Sequence, residues 1–390
     1  MNSTPKTSTD YTRLQSQSIN LLRLPLALGV VFIHMSPATV APIDASFPLT
    51  SPQGIYNLIL IVTSHVIPVV AVPGFFFISG LLFFLNYDGA SFDGYRKKLK
   101  SRFSSMLVPY LLWNVIAFLP IMAVNIASAI FREQPEGYLT EFFHNYSWHT
   151  FYDVYSLGDK TTFFGHTFRD GAPIIIPLWF LRDLIIVSIC TPLIFRAIKV
   201  GGIILPAVLF ICTTLNIRFP IPGPAVGSFF WFSAGAYFSI KGLNVIEFTD
   251  KYKGAIIPAS IAALVVLTAV DTWFSVPGPY LTPLCTIPLI LSCFNISSYL
   301  IEKRNITIPP LLVGSCFFIY AFHLMNFPYI STPVGFILNI LSGLMPTSSL
   351  AIKTIIHIIT PLLTVGLCIG LYCISGRLLP KTTKILSGNR

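Results

Sequence analysis

IYNLILIVTSHVIPVVAVPGFFFISGLLFFLN, residues 55–86, runs for 32 residues without one Asp, Glu, Lys or Arg. A bilayer core of about 30 Å takes about 20 apolar residues of helix. The stretch therefore reads as a membrane segment too long for one straight helix. Pro68 and Pro73 are expected to break it, and non-helical backbone at that depth must face protein or water rather than lipid.

Working outward, the same template gives ten spans, near 19–38, 55–86, 106–131, 174–196, 202–217, 224–241, 254–271, 279–300, 309–328 and 351–378. The whole chain agrees: of 390 residues 54% are hydrophobic and only 10% charged, against about 25% charged in soluble domains. A soluble fold and a disordered chain are both excluded. A β-barrel would alternate in segments of about ten residues, which these apolar runs do not. The fold class is an all-α polytopic membrane protein forming a single domain over 1–390. A polar N-terminal segment (1–18), an outer loop (132–173) and a basic tail (379–390) flank the spans, and no soluble domain is fused.

The net charge of +10 sorts by position. Eighteen of the 25 lysines and arginines fall in one set of connecting segments and five in the other. Cytoplasmic loops are enriched in these residues, so both termini are expected in the cytoplasm. The charge is topology, with no nucleic-acid motif beside it. Seven cysteines without a C-x-x-C pair indicate neither a disulfide framework nor a metal site.

Arg23 and Arg182 are left inside spans, where an ionisable group needs a partner or a wet cavity. Arg23 and His34 are eleven residues apart, which places them on one helix face about 16 Å apart. Snorkelling of Arg23 and a satisfied core histidine are the bland alternative. Arg182 and Asp183, next to Trp179, open the fourth span at the depth of His34. Neighbours on a helix point about 100° apart, so each is expected to reach its own partner; an ion pair that fixes packing is the other reading. His323 lies at similar depth in the ninth span. Depth alone thus groups His34, Arg182, Asp183 and His323 in one outer polar pocket, while His65 and His357 read as core or interfacial. Below Arg23 comes the strongest basic run, Arg96-Lys97-Lys98-Leu99-Lys100-Ser101-Arg102. It is either a topological signal or a landing site for a phosphate-bearing cytoplasmic ligand. Eleven aromatics in 132–173 suit sugar rings or an interfacial helix.

Five of these elements in order resemble the acyltransferase 3 family of membrane acyltransferases: Arg23 with His34, Phe75-Phe76-Phe77-Ile78-Ser79-Gly80, the basic run before Pro109-Tyr110, Pro177-Leu178-Trp179-Phe180-Leu181-Arg182, and Phe317 to His323. The resemblance spans nearly the whole chain. It implies transfer of an acyl group, most commonly acetyl, from cytosolic acyl-coenzyme A to a hydroxyl of a cell-surface glycan or its lipid-linked precursor, in a bacterial inner membrane. Acyl-coenzyme A is then a co-substrate, and no permanently bound cofactor is implied. By position, the resemblance makes His34 the catalytic histidine, as general base or acyl carrier; apart from the resemblance, Asp183 is expected to orient an imidazole, provided the two are within hydrogen-bond reach. Arg23, Lys98, Lys100 and Arg102 bind the donor's phosphates, and Arg182, Trp179 and His323 serve the acceptor or the oxyanion. Leu99 stands where the family often has an arginine three before Arg102, and lysines nearby lack the bidentate fork. The rival reading from another class is a transporter or flippase for a glycan or lipid-linked sugar, which intramembrane charges also suit.

Overall fold

The computed structural model describes residues 7–35, 48–85, 87, 92–131, 136–137, 140, 160–163, 166–169, 173–219, 223–273, 280–325, 332–345 and 349–389. Among the described residues the regular elements are helices and one two-stranded antiparallel hairpin, β1 (Lys160–Phe163) and β2 (His166–Arg169), in the 132–173 segment. Most of that segment's aromatics lie outside the described residues.

Helix α1 (Ser8–Ile33) starts eleven residues before the expected span. Thr7 and Asp10 form a capping box: the Thr7 hydroxyl accepts from the Asp10 N–H and the Asp10 carboxylate accepts from the Thr7 N–H, satisfying two otherwise orphaned donors. From Ser8 onward the polar N-terminal segment is helical. Its helical turns dock on a short helix at Val245–Lys251: the Val245 N–H donates to buried Gln15 Oε1 at 2.8 Å, and the Tyr11 hydroxyl donates to Asp250.

The 55–86 stretch forms α2 (Pro52–Ile61), a π-helical turn (Val62–Val66), a 3-10 turn (Ile67–Val70) and α3 (Ala71–Phe84). Its break includes Pro68 but not Pro73. Pro73 is the third residue of α3, where its missing N–H is one of the helix's orphans anyway. His357, buried, meets Thr63 and Ser64 at the break through Nε2 at 2.9 and 3.2 Å, so protein covers one face of the break, while His65 and Ile67 are exposed on another.

The basic run is not a loop. It forms α4 (Phe92–Arg102), which continues through a π-helical turn (Phe103–Leu107) into α5 (Val108–Ile130). The fourth span is two helices, α6 (Trp179–Ile189) and α7 (Thr191–Gly201), bent by 62° at Cys190. There follow α8 (Ile204–Thr214), α9 (Val226–Ile240), α10 (Val245–Lys251), α11 (Lys253–Trp273), α12 (Thr282–Arg304), α13 (Pro310–Phe322), α14 (Pro333–Leu344), α15 (Leu350–Leu378) and α16 (Pro380–Leu386). Among the described residues six helices are long and apolar enough to cross a membrane, seven if the bent pair is one span. Helices α8, α9 and α13 are apolar but shorter, and the apolar α14 falls in a segment read from sequence as a connection.

Two glycines set the tightest packing. A Cβ on Gly80 would fall on the Phe232 carbonyl, and one on Gly235 on the Phe77 carbonyl. Helices α3 and α9 thus meet backbone to backbone, the close approach small residues permit between membrane helices. Ser239 Oγ donating to the Leu81 carbonyl extends the parallel register. The C-terminal ends of α3 and α9, the N-terminal turns of α1, and α10 therefore gather on one side. At the other end of the chain, Asn389 donates to Ser104 beside the basic helix, and the Trp113 indole donates to the Leu386 carbonyl.

Candidate active site

Helix α1 presents Arg23 to a cleft between α3, the turn after α4, α6 and α13. The cleft encloses about 690 Å³ up to its open mouth. Arg23 and Arg102 both line it, with Ser79, Ser105, Cys316 and Tyr320 among the rest, and no carboxylate belongs to the lining. Two guanidiniums in a carboxylate-free cleft make a receptor for an anion. Arg102 is held from the α3 side, donating to the Ser79 carbonyl at 3.4 Å and lying over the Phe83 ring at 5.6 Å.

Lys98 and Lys100 do not join them. Lys98 Nζ donates to the Phe83 and Leu85 carbonyls at 2.6 and 2.8 Å and faces the Phe83 and Tyr87 rings. It satisfies carbonyls at the C-terminal end of α3, where a cation complements the helix dipole. Lys100 is exposed on α4.

Above the cleft, Tyr320 donates its hydroxyl to the Pro177 carbonyl and packs against Phe75 and Phe180. One helical turn along, its ring lies 6.4 Å from that of His323, which lies 5.3 Å from His34 between ring centroids. His34 is not within the α1 helix but caps its C-terminus, half-buried. His323 is fully buried at the C-cap of α13. Its Nδ1 is 2.9 Å from the Ile319 carbonyl. A carbonyl only accepts, so Nδ1 carries the proton, and in the neutral ring Nε2 offers a lone pair. That Nε2 is buried without a hydrogen-bond partner.

Arg182 and Asp183 form a separate unit. Arg182 Nε and Nη2 donate to Asp183 Oδ1 at 3.2 and 3.1 Å, and Nη2 also donates to the Gly223 carbonyl at 2.8 Å. Asp183 Oδ2 accepts from the Ala225 N–H at 3.0 Å and Ser228 Oγ at 2.7 Å. Each residue does reach a partner of its own, but they also pair with each other, because the long arginine side chain folds back over its neighbour. Asp183 is fully buried, and none of its hydrogen bonds goes to a histidine. The geometry thus gives it the N-terminus of α9 and Arg182 to hold, and corrects the expectation that it orients an imidazole. The four-residue outer pocket divides accordingly into a histidine pair and an arginine–aspartate pair, with Tyr320 and Phe180 between. Trp179 is half-buried at the start of α6, its backbone N–H donating to the Ile176 carbonyl. Among the described residues no cluster of three or more metal-type ligands occurs.

A family model described as "Acyltransferase domain" matches residues 16–376. The chain belongs to the acyltransferase 3 family. It is also similar to the succinoglycan biosynthesis protein ExoH of Rhizobium meliloti (strain 1021), 27% identical over 298 residues, covering 74% of this chain and 72% of that one. No solved structure matches. The site's polar groups lie among apolar helices. Three contributors to the site escaped the sequence reading. Tyr320 joins the cleft to the histidines; Ser228 and the Ala225 N–H complete the Asp183 cradle. Tyr320 lay within the quoted Phe317–His323 segment, one turn before His323, and that spacing was the available signal.

Proposed function

We propose that this protein is an integral membrane O-acyltransferase. It takes an acyl group, most simply acetyl, from acyl-coenzyme A and passes it to a hydroxyl of a glycan or its lipid-linked precursor. The observation that carries the reading is the shared cleft of Arg23 and Arg102, capped by Tyr320 beneath His323 and His34. Similarity to a succinoglycan biosynthesis protein supports a polysaccharide acceptor. The proposed setting is a bacterial inner membrane, crossed ten times with short helices included, and the side bearing the basic helix faces the cytoplasm. The 18-to-5 division of cations supports that orientation.

In this mechanism the donor's phosphates rest on Arg102 and Arg23 and the thioester extends past Tyr320. The acceptor oxygen attacks the thioester carbonyl carbon, the C–S bond breaks, and the hydroxyl proton passes to a histidine and on to the departing thiolate. With its Nδ1–H given to Ile319, neutral His323 is an acceptor through Nε2 and not an oxyanion donor. His34, the more accessible ring, is the one that meets the reacting atoms. Arg182, fixed by Asp183, is the acceptor-side cation. Membranes carrying the protein, supplied with acyl-labelled acyl-coenzyme A, test the reading. Label is expected in a saponifiable ester on surface glycan; substrate movement without label would favour transport instead.

A further inference from the structure

A second, open pocket lies on the far side of α3, walled by α8, α9, α10 and α12, with Phe77 as the α3 contribution. It holds about 1120 Å³ up to its open mouth. Its walls are hydrocarbon and aromatic, and the Tyr237 hydroxyl and Trp231 indole are their only side-chain polar groups. Water entering such a space finds too few partners, and leaving it empty forfeits dispersion contacts all round the wall. Among apolar helices of a membrane protein, the available filler is an alkyl chain.

One end of the cavity is marked by charge. Leu243 and Ile203 line it there, and Lys241 and Lys199 stand beside them in the chain, both exposed. The Lys241 ammonium donates to the Lys199 backbone carbonyl at 3.4 Å, so the C-terminal ends of α9 and α7, each carrying one of these lysines, lie together. The opposite end of α9 is the one Asp183 caps. Its 15 residues put the lysines about 22 Å from that end, which is the end near Phe180 and Tyr320. A phosphate held by Lys199 and Lys241 is therefore remote from the histidines. This separation argues for a resident lipid rather than for a lipid-linked acceptor awaiting acylation.

We infer that this cavity binds one hydrocarbon chain of an anionic bilayer phospholipid, whose headgroup phosphate sits on Lys199 and Lys241. Phe77 faces this cavity while Phe75, Ile78 and Ser79 face the donor cleft. The lipid thus fills the back of the wall that positions the cleft.

The full-length protein, purified in mild detergent and offered phosphatidylglycerol or phosphatidylcholine, tests this by native mass spectrometry. One phosphatidylglycerol should be retained per chain, about 30-fold preferred over phosphatidylcholine, since two lysines near a headgroup contribute about 1 kcal/mol each. Ala234→Trp, which fills the cavity, should abolish retention. Lys199→Gln with Lys241→Gln leaves the apolar walls intact, and should leave both lipids bound equally, which keeps the test meaningful if the tryptophan variant fails to fold. No retained lipid in the wild type would overturn the inference. So would a headgroup preference unchanged in the lysine variant, or displacement of phosphatidylglycerol by a polyisoprenyl phosphate. Acyl transfer enters none of these readouts.

Discussion

The imidazole of His34 lies 5.3 Å from that of His323, one capping α1 and the other capping α13. Two helix ends 289 residues apart in sequence are thereby joined at a pair of rings. His323 keeps an unpartnered buried Nε2, although a buried polar atom left unsatisfied costs about 1–3 kcal/mol. A lone pair kept at that cost beside a half-exposed histidine is suited to receiving a proton. His323→Ala should lower acyl transfer by about 10²-fold or more, the usual contribution of a positioned proton acceptor, with the protein still present in membranes. Unaltered transfer would reduce His323 to packing.

The cleft of Arg23 and Arg102 separates cations that look equivalent in sequence. Arg102→Gln should raise the KM for acyl-coenzyme A with a smaller effect on kcat, because a phosphate contact remote from the reacting carbon contributes uniform binding. Lys100→Gln should change neither. Lys98→Gln should leave KM nearly unchanged but lower the melting temperature, since its ammonium satisfies carbonyls at the end of α3. Equal KM effects from all three would mean that the basic helix acts as a diffuse field.

Asp183 gives a stability prediction. Asp183→Asn leaves the Arg182 guanidinium buried without its countercharge, and breaking a buried pair from one side costs about 3–5 kcal/mol. Ser228→Ala removes one hydrogen bond to the same carboxylate and should cost about 1–3 kcal/mol. Thermal unfolding in detergent should rank Asp183→Asn well below Ser228→Ala. The reverse order would contradict the cradle.

Much of this was legible in the sequence, for definable reasons. Long apolar runs announce membrane helices whatever the tertiary arrangement, and intramembrane charges are costly enough to stand out. Arg23, His34, Arg182 and His323 were found that way. The start of α1 was missed because residues 8–18 are polar; they are helical because of a capping box and because α10 covers Gln15. Lys98 and Lys100 differ only in what α3 and α4 do to each, which composition does not record. Adjacent Arg182 and Asp183 were expected to reach separate partners; each does, and the length of the arginine side chain lets them pair with each other as well. Pro73 was expected to break a helix but instead lies in the first turn of one.

The α3–α9 contact predicts unequal glycines. Gly80→Ala and Gly235→Ala force a methyl into opposing backbone, and overpacking of this kind costs about 1–3 kcal/mol. Gly366, on α15, has nothing within 4 Å of a Cβ, and Gly366→Ala should be neutral or slightly stabilising. Melting curves of the three variants provide the comparison. Similar behaviour across them would mean that the two helices do not meet so closely.

The central claim is that acyl groups leave coenzyme A at His34. Its most direct measurement is incorporation of acyl label into glycan ester by membranes carrying wild-type protein or His34→Ala at matched abundance. Wild-type membranes should yield labelled ester that alkali releases, and His34→Ala membranes should yield none above background while binding of coenzyme A persists. Near wild-type incorporation by His34→Ala would overturn the assignment and leave the histidine pair a structural feature of the helix ends.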